Sequence, residues 1–304
     1  MRILPFAVAA TFAGLSTVLP PAAHAADSCA VPDGWAEVVR SNPRYVVFGE
    51  IHGTQQSPAF VGDLACGLAT RGERVLVAVE LGSPYNDAFQ AAWRLPPVQF
   101  VAALLKQGWA GRSDGVGSVA MRDMLVRLHA LKSAGRPIEI VAFNGARDAV
   151  QRAKFADQPG QGPHEAAQAE NIRTTATAGR YDRVLVLVGN LHARKEPVER
   201  GGITFRPMAM QLAPAEQVLS LNMASAGGST WSCQMRGDAK FEPGKPIASD
   251  AIECSGHPVR PDATIDRPPF VTLQPLPGRV RDPAYDGSFW LGPVTASPPA
   301  VPAG

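Results

Sequence analysis

Two stretches of this chain close an apolar run with Gly-x-x-His. Gly49-Glu50-Ile51-His52 follows Tyr45-Val46-Val47-Phe48, and Gly189-Asn190-Leu191-His192 follows Val184-Leu185-Val186-Leu187-Val188. Two further apolar runs stop at Glu80 and at Asn144. Imidazoles and carboxylates delivered together can exchange protons with a substrate or share a metal ion. In α/β proteins ligands bind at the carboxyl ends of parallel strands, so these strand ends are where a site is expected.

Glu50 and His52 are two residues apart, which in extended chain puts both side chains on one side. A carboxylate beside a histidine fixes its tautomer and raises its basicity, which suits His52 to act as a general base toward water. Glu80 ends five apolar residues, where an isolated charge is costly. If the first two strands are neighbours, Glu50 and Glu80 lie close enough for one to hold a proton and give an acid and a base from one residue type. Plainer uses stand beside these. Glu50 and His52 also suit a polar cap where the strand leaves the core, and Glu80 an acceptor for backbone N–H groups.

Asn144 and Asn190 do not titrate, but their amides can orient water or donate to an oxyanion, or simply form turns. Arg112, in the glycine-rich loop 108–117, and Arg147 can each hold a substrate carboxylate or phosphate, or make a structural ion pair. His129 reads as helix packing or half-exposed surface, His164, at a helix start, could reach the site but is more often an exposed loop residue, and His257 has no evident partner. A Gly-x-Ser-x-Gly elbow, a Gly-x-x-x-x-Gly-Lys-Ser/Thr loop and a His-Glu-x-x-His pair are all missing from the sequence. That argues against a serine hydrolase of the α/β-hydrolase kind, nucleotide binding and a helix-borne zinc site.

The elements that must position these residues follow from periodicity. Strands are expected near 44–50, 74–80, 137–143 and 183–189, with helices near 57–70, 86–93, 97–106, 118–133 and 164–178 between them. Apolar strands alternating with helices predict an α/β fold, a mostly parallel sheet with helices on both faces. The stretches 203–212 and 218–223 read as two more strands. From 227 the chain is rich in Pro and Gly. Residues 227–290 read as a disulfide-stapled appendage of loops and short strands, and 291–304 as a disordered tail.

At the other end, an apolar stretch from Ile3 to about Leu19 followed by Ala23-His24-Ala25 reads as a secretory signal over 1–25, ahead of a core domain over 26–226. The mature chain is then expected in the periplasm or outside the cell. Four cysteines in an oxidising compartment should pair, and of three connectivities the local one joins Cys233 with Cys254 and Cys29 with Cys66. No second stretch approaches the roughly 20 apolar residues of a spanning helix, so no membrane span is expected after signal removal. A net charge of +2 without basic clusters argues against a nucleic-acid partner.

At Gly49-Glu50-Ile51-His52-Gly53, Glu80 and Gly189-Asn190-Leu191-His192-Ala193, over about 40–225, the chain resembles the erythromycin esterase-like, ChaN-like haem-uptake and Tiki/TraB proteins. The esterase-like resemblance implies a metal-free hydrolase in which His52 activates water among glutamates. The Tiki-like one implies a metal-dependent protease, with His52, Glu80 and His192 holding a divalent ion such as Zn, Mn or Co. The ChaN-like one implies haem binding for iron uptake without turnover, although Gly53 stands where those proteins tend to carry an Asp. The leading expectation is a secreted or periplasmic hydrolase of an ester, amide or similar bond, acting on a small-molecule or peptide substrate. Glu50, His52, Glu80 and His192 are its candidate catalytic residues, and Arg112, Asn144, Arg147 and Asn190 its candidate substrate contacts. The alternative is a haem- or metal-binding protein.

Overall fold

Val, Ile, Leu and Phe dominate four runs whose side chains are buried on both faces, the pattern of a sheet covered by helices. In the computed structural model, which describes residues 29–237 and 251–301, these runs are strands β1 (Tyr45–Glu50), β2 (Val75–Gly82), β3 (Ile138–Asn144) and β4 (Arg183–Gly189). Further strands are β5 (Val198–Arg200), β6 (Ile203–Phe205), β7 (Val218–Ala224), β8 (Gly228–Met235), β9 (Ile252–Val259), β10 (Phe270–Thr272) and β11 (Gly287–Trp290). The main sheet runs β10-β11-β7-β1-β4-β2-β3, with every pairing parallel except β10 with β11. The fold is α/β, as expected.

The helices are α1 (Trp35–Val38), α2 (Gln56–Thr70), α3 (Asn86–Trp93), α4 (Pro97–Leu104), α5 (Val119–Ser133), α6 (Ala149–Lys154), α7 (Gly162–Ala178) and α8 (Met208–Leu212). Because successive strand residues point to opposite faces, β1 feeds two cores. Val46 and Phe48 pack with Phe60 and Leu64 of α2, Phe100 of α4 and Leu125 of α5. Tyr45 and Val47 pack with Ile172 and Ala176 of α7 and Met208 of α8. Ser118 caps α5, its hydroxyl accepting from Met121 N–H at 3.3 Å.

Several expectations need correction. Residues 203–212 do not form one strand: Pro207 lacks the N–H a ladder needs, and the chain turns there into α8. Strands β1 and β2 are not neighbours, because β4 lies between them. The region after 227 is not an appendage beside a finished core. Its β11 pairs with β7, and Phe289 sets its ring 5.3 Å from that of Phe48 and 5.6 Å from that of Phe60.

Nor are residues 291–301 a loose tail. Leu291, Val294 and Ser297 are buried, Ser297 N–H donates to Gly53 C=O, and Val119 N–H donates to Pro298 C=O, both at 2.8 Å. Proline excludes this segment from helices and central strands, yet leaves it free to lie extended across backbone groups that need partners. The expected signal, and the expected tail beyond residue 301, lie outside the described residues.

Both expected disulfides are present. Cys29–Cys66 fastens the N-terminal segment to α2, and Cys233–Cys254 joins facing residues of β8 and β9. No described helix is long and apolar enough to cross a membrane.

Candidate active site

The strands β1, β4 and β2 end side by side. Glu50 closes β1 with His52 just beyond it, Gly189 closes β4, and Glu80 lies near the end of β2. A Cβ on Gly189 would lie 2.8 Å from His52 Nε2. The missing side chain therefore lets His52 reach over β4 to Glu80, with Nε2 3.2 Å from Oε2. Gly189 N–H donates to the same oxygen at 2.7 Å. On its other side His52 sets Nδ1 2.9 Å from Glu50 Oε1. Both ring nitrogens thus face carboxylate oxygens, which only the imidazolium satisfies by donating twice.

His192 approaches Glu80 from the opposite side, with Nε2 3.6 Å from Oε1. Its Nδ1 lies 2.7 Å from Glu165 Oε1. Glu165 is fully buried in the first turn of α7 and also accepts Met208 N–H of α8 at 2.8 Å. This is the residue that sequence reasoning missed. It follows Gly162-Pro163-His164 and reads as part of an exposed helix start, whereas the packing of α7 against α8, which no local pattern encodes, buries it.

Burial opposes the protonated form of His52, but the charges and hydrogen bonds of Glu80 and Glu50 outweigh it and lift its pKa well above the ordinary imidazole value. Burial likewise opposes protonation of His192, and Glu165 with Glu80 outweighs it, so that pKa is raised too. For Glu80, burial disfavours the charge, yet the two histidines and Gly189 N–H hold its pKa at about 2. Of the two carboxylates expected to share an acid and a base role, Glu80 is thus the one held ionised; β4 keeps its strand apart from β1, and two imidazoles surround it. His164, whose ring centroid is 5.7 Å from that of His192, has its pKa lowered by burial and by the His192 charge.

An open cavity of about 460 Å³ lies over these groups, bounded by Glu50, His52, Asn190 and His192 on one side and by Asp114 and Trp231 on the other. The β8–β9 ladder supplies the second wall. Trp231 N–H donates to Gly53 C=O at 2.9 Å, its Nε1–H to Ser113 C=O at 2.9 Å, and the Thr230 hydroxyl to the His52 carbonyl. Gly53 has φ +79°, and a Cβ on it would fall 2.1 Å from the Trp231 carbonyl oxygen. The glycine after His52 thus permits that wall to dock.

Of the four expected substrate contacts, Asn190 lines the cavity, its N–H donating to Glu50 C=O at 2.9 Å and its carbonyl accepting from Tyr285 OH at 2.8 Å. The other three are not on its wall. Arg112 is held by Asp114 at 2.9 Å and stiffens the glycine-rich loop. Asn144 accepts from Gln168 at 2.9 Å. Arg147 pairs with Glu170 at 3.3 Å and lines a separate cavity beside β3 with Ser83 and Asn171. In each case a neighbouring side chain already satisfies the polar group.

Among the described residues no group of three or more His, Cys, Asp or Glu is disposed to hold a metal ion. His52, Glu80 and His192 do meet, but each histidine turns toward Glu80 the nitrogen a metal would require, and Glu80 already accepts from Gly189. In this arrangement the three side chains hold one another directly. Each ring nitrogen of the two histidines faces a carboxylate oxygen, of Glu50, Glu80 or Glu165.

No known family's sequence pattern matches this chain, and no curated protein resembles it in sequence. Solved structures do share its fold. A succinoglycan biosynthesis protein superposes with a TM-score of 0.57 at 11% identity, over 90% of this chain and 96% of its own. A Bacillus cereus protein gives a TM-score of 0.52 at 11% identity, over 86% and 92%. A mutant erythromycin esterase in its open conformation gives 0.51 at 12% identity, over 74% and 79%. At these identities the likeness is one of fold: the chain has an erythromycin esterase-like fold.

Proposed function

We propose that this chain is a hydrolase of ester or amide bonds. One observation carries the reading: two histidines, each tied at Nδ1 to a buried carboxylate, aim their Nε2 atoms at one ionised glutamate beside an open cavity. The erythromycin esterase fold supports hydrolysis as analogy only. The two disulfides support a compartment outside the cytoplasm, in keeping with the expected signal.

His192 with Glu165 has the arrangement of a base, because a carboxylate on Nδ1 leaves Nε2 to take a proton. His52, clamped between Glu50 and Glu80, holds its proton harder and is the acid, its Nε2–H turning from Glu80 to the substrate oxygen as charge develops there. These roles exchange the base expected from the sequence, where His52 was to activate water. Water attacks the carbonyl carbon as His192 Nε2 removes its proton, and the carbonyl electron pair moves onto an oxygen beside His52. The bond to the leaving atom then breaks as that atom takes the His52 proton. One proton passes from His192 to His52, whose Nε2 atoms face the same carboxylate, and the site is restored.

Turnover of a p-nitrophenyl ester by the purified protein tests the reading. His52→Ala and His192→Ala should each lower kcat/KM by about 10²–10⁴-fold, and a chelator should leave wild-type turnover unchanged. Near-normal turnover in both variants would overturn the proposal. Loss on chelation with recovery on adding Zn²⁺ would replace it with a metal-assisted reaction.

A further inference from the structure

A second open hollow, of about 540 Å³, shares Leu191 and His192 with the first and continues past His164 and Gln161 to Arg200. The two differ in charge. Glu50 and Asp114 line the first, whereas among the described residues the second has no carboxylate on its wall and one permanent cation. Arg200 ends β5, where its backbone pairs with Ile203 of β6, and is exposed, and its guanidinium makes no hydrogen bond or ion pair with a described residue. Near the site Arg112, Arg147 and Arg194 are all held by carboxylates. Glu199 alternates to the opposite side of the strand, so it does not neutralise Arg200 from within β5. His164 accepts from Gln168 Nε2 at 2.9 Å through its own Nε2, which leaves the proton of its neutral ring on Nδ1.

We propose that this second hollow binds an anionic group, a carboxylate or a phosphate, carried by the substrate, with Arg200 as its counter-ion. The inference rests on the hydrolase reading of the adjoining site. A planar guanidinium matches either group through paired N–H donors. The shared wall at Leu191 and His192 means that one molecule can lie across both hollows, with its scissile bond at the histidines and its charge at Arg200.

The test compares kcat/KM for p-nitrophenyl butyrate with that for the p-nitrophenyl half-ester of glutarate and for a phosphonate-bearing analogue of the same length. Wild type should favour the charged esters by about ten-fold, the value of one charge-assisted contact. That ratio should fall toward one in Arg200→Ala, be partly kept in Arg200→Lys and invert in Arg200→Glu. A merely structural role for Arg200 would lower all rates together and leave the ratio intact, which would overturn the inference.

Calorimetry with glutarate and with inorganic phosphate separates the two readings. Binding to wild type that is lost in Arg200→Ala supports the anionic subsite even if no ester is turned over, in which case the hydrolase reading alone fails. Ester turnover without charge preference or probe binding leaves the hydrolase standing and removes the subsite. The tighter of the two probes assigns the group as carboxylate or phosphate.

Discussion

His52 and Glu80 stabilise one another, and the signs of their shifts fix the pH at which they do so. A histidine whose pKa rises on folding contributes stability that is complete below about 6.5 and is lost as pH climbs through its folded value. A glutamate held at about 2 contributes stability that is complete above about 4.5 and is lost as pH falls through 2. The pair is therefore most stabilising between about pH 4.5 and 6.5. Glu80→Gln strips the counter-ion from two histidines, and should cost about 3–5 kcal/mol in that window, as for other buried ion pairs that lose one partner. Urea unfolding of wild type and variant across pH checks this, and a constant difference from pH 2 to 9 would show that Glu80 is not ionised between imidazoles.

At the scale of elements, glycines decide whether the strand ends can cooperate. Gly189→Ala would place a methyl 2.8 Å from His52 Nε2 and displace the ring from Glu80. Ester turnover should drop by about ten-fold or more, and unfolding free energy should fall as well between about pH 4.5 and 6.5, since the displaced ring gives up its ion pair with Glu80. Gly53→Ala differs, because its φ of +79° and the Trp231 carbonyl 2.1 Å away both resist a side chain. It should destabilise by about 1–3 kcal/mol and loosen the β8–β9 wall, seen as a fall in both Tm and turnover.

These elements were only partly legible beforehand. The apolar runs ending at Glu50, Glu80, Asn144 and Gly189 revealed their strands because burial on both faces leaves a continuous apolar signature. Strand order is not a local property, so the insertion of β4 between β1 and β2 was hidden, and with it the company Glu80 keeps. Glu165 was hidden for a related reason: its partners, His192 and Met208, lie 27 and 43 residues away in sequence.

For the whole molecule, the region after residue 227 completes the sheet and walls the site instead of hanging from it. Its prolines and glycines erase the periodicity by which sequence reveals a core, yet Phe289 packs edge-on against Phe48 of β1 and tilted against Phe60. Phe289→Ala should cost about 3–5 kcal/mol, as for a core aromatic, and a change under about 1 kcal/mol on chemical denaturation would return this region to the status of an appendage. The cysteines, by contrast, were legible, because an even number close in sequence leaves few pairings. Replacing Cys233 and Cys254 together by Ser should lower stability by about 2–4 kcal/mol through the freed loop. It should also reduce turnover, since Cys233 belongs to the cavity wall.

The central claim, that His192 with Glu165 is the base and His52 with Glu50 the acid, is tested most directly by the pH dependence of kcat/KM in wild type, Glu165→Gln and Glu50→Gln. Wild type should give a bell whose acid limb lies above 6.5, where His192 loses its proton, and whose alkaline limb lies higher, where His52 loses its own. Glu165→Gln should move the acid limb down toward 6.5, and Glu50→Gln should lower the alkaline limb. Movement of the acid limb by Glu50→Gln and not by Glu165→Gln would contradict the assignment and return the role of base to His52.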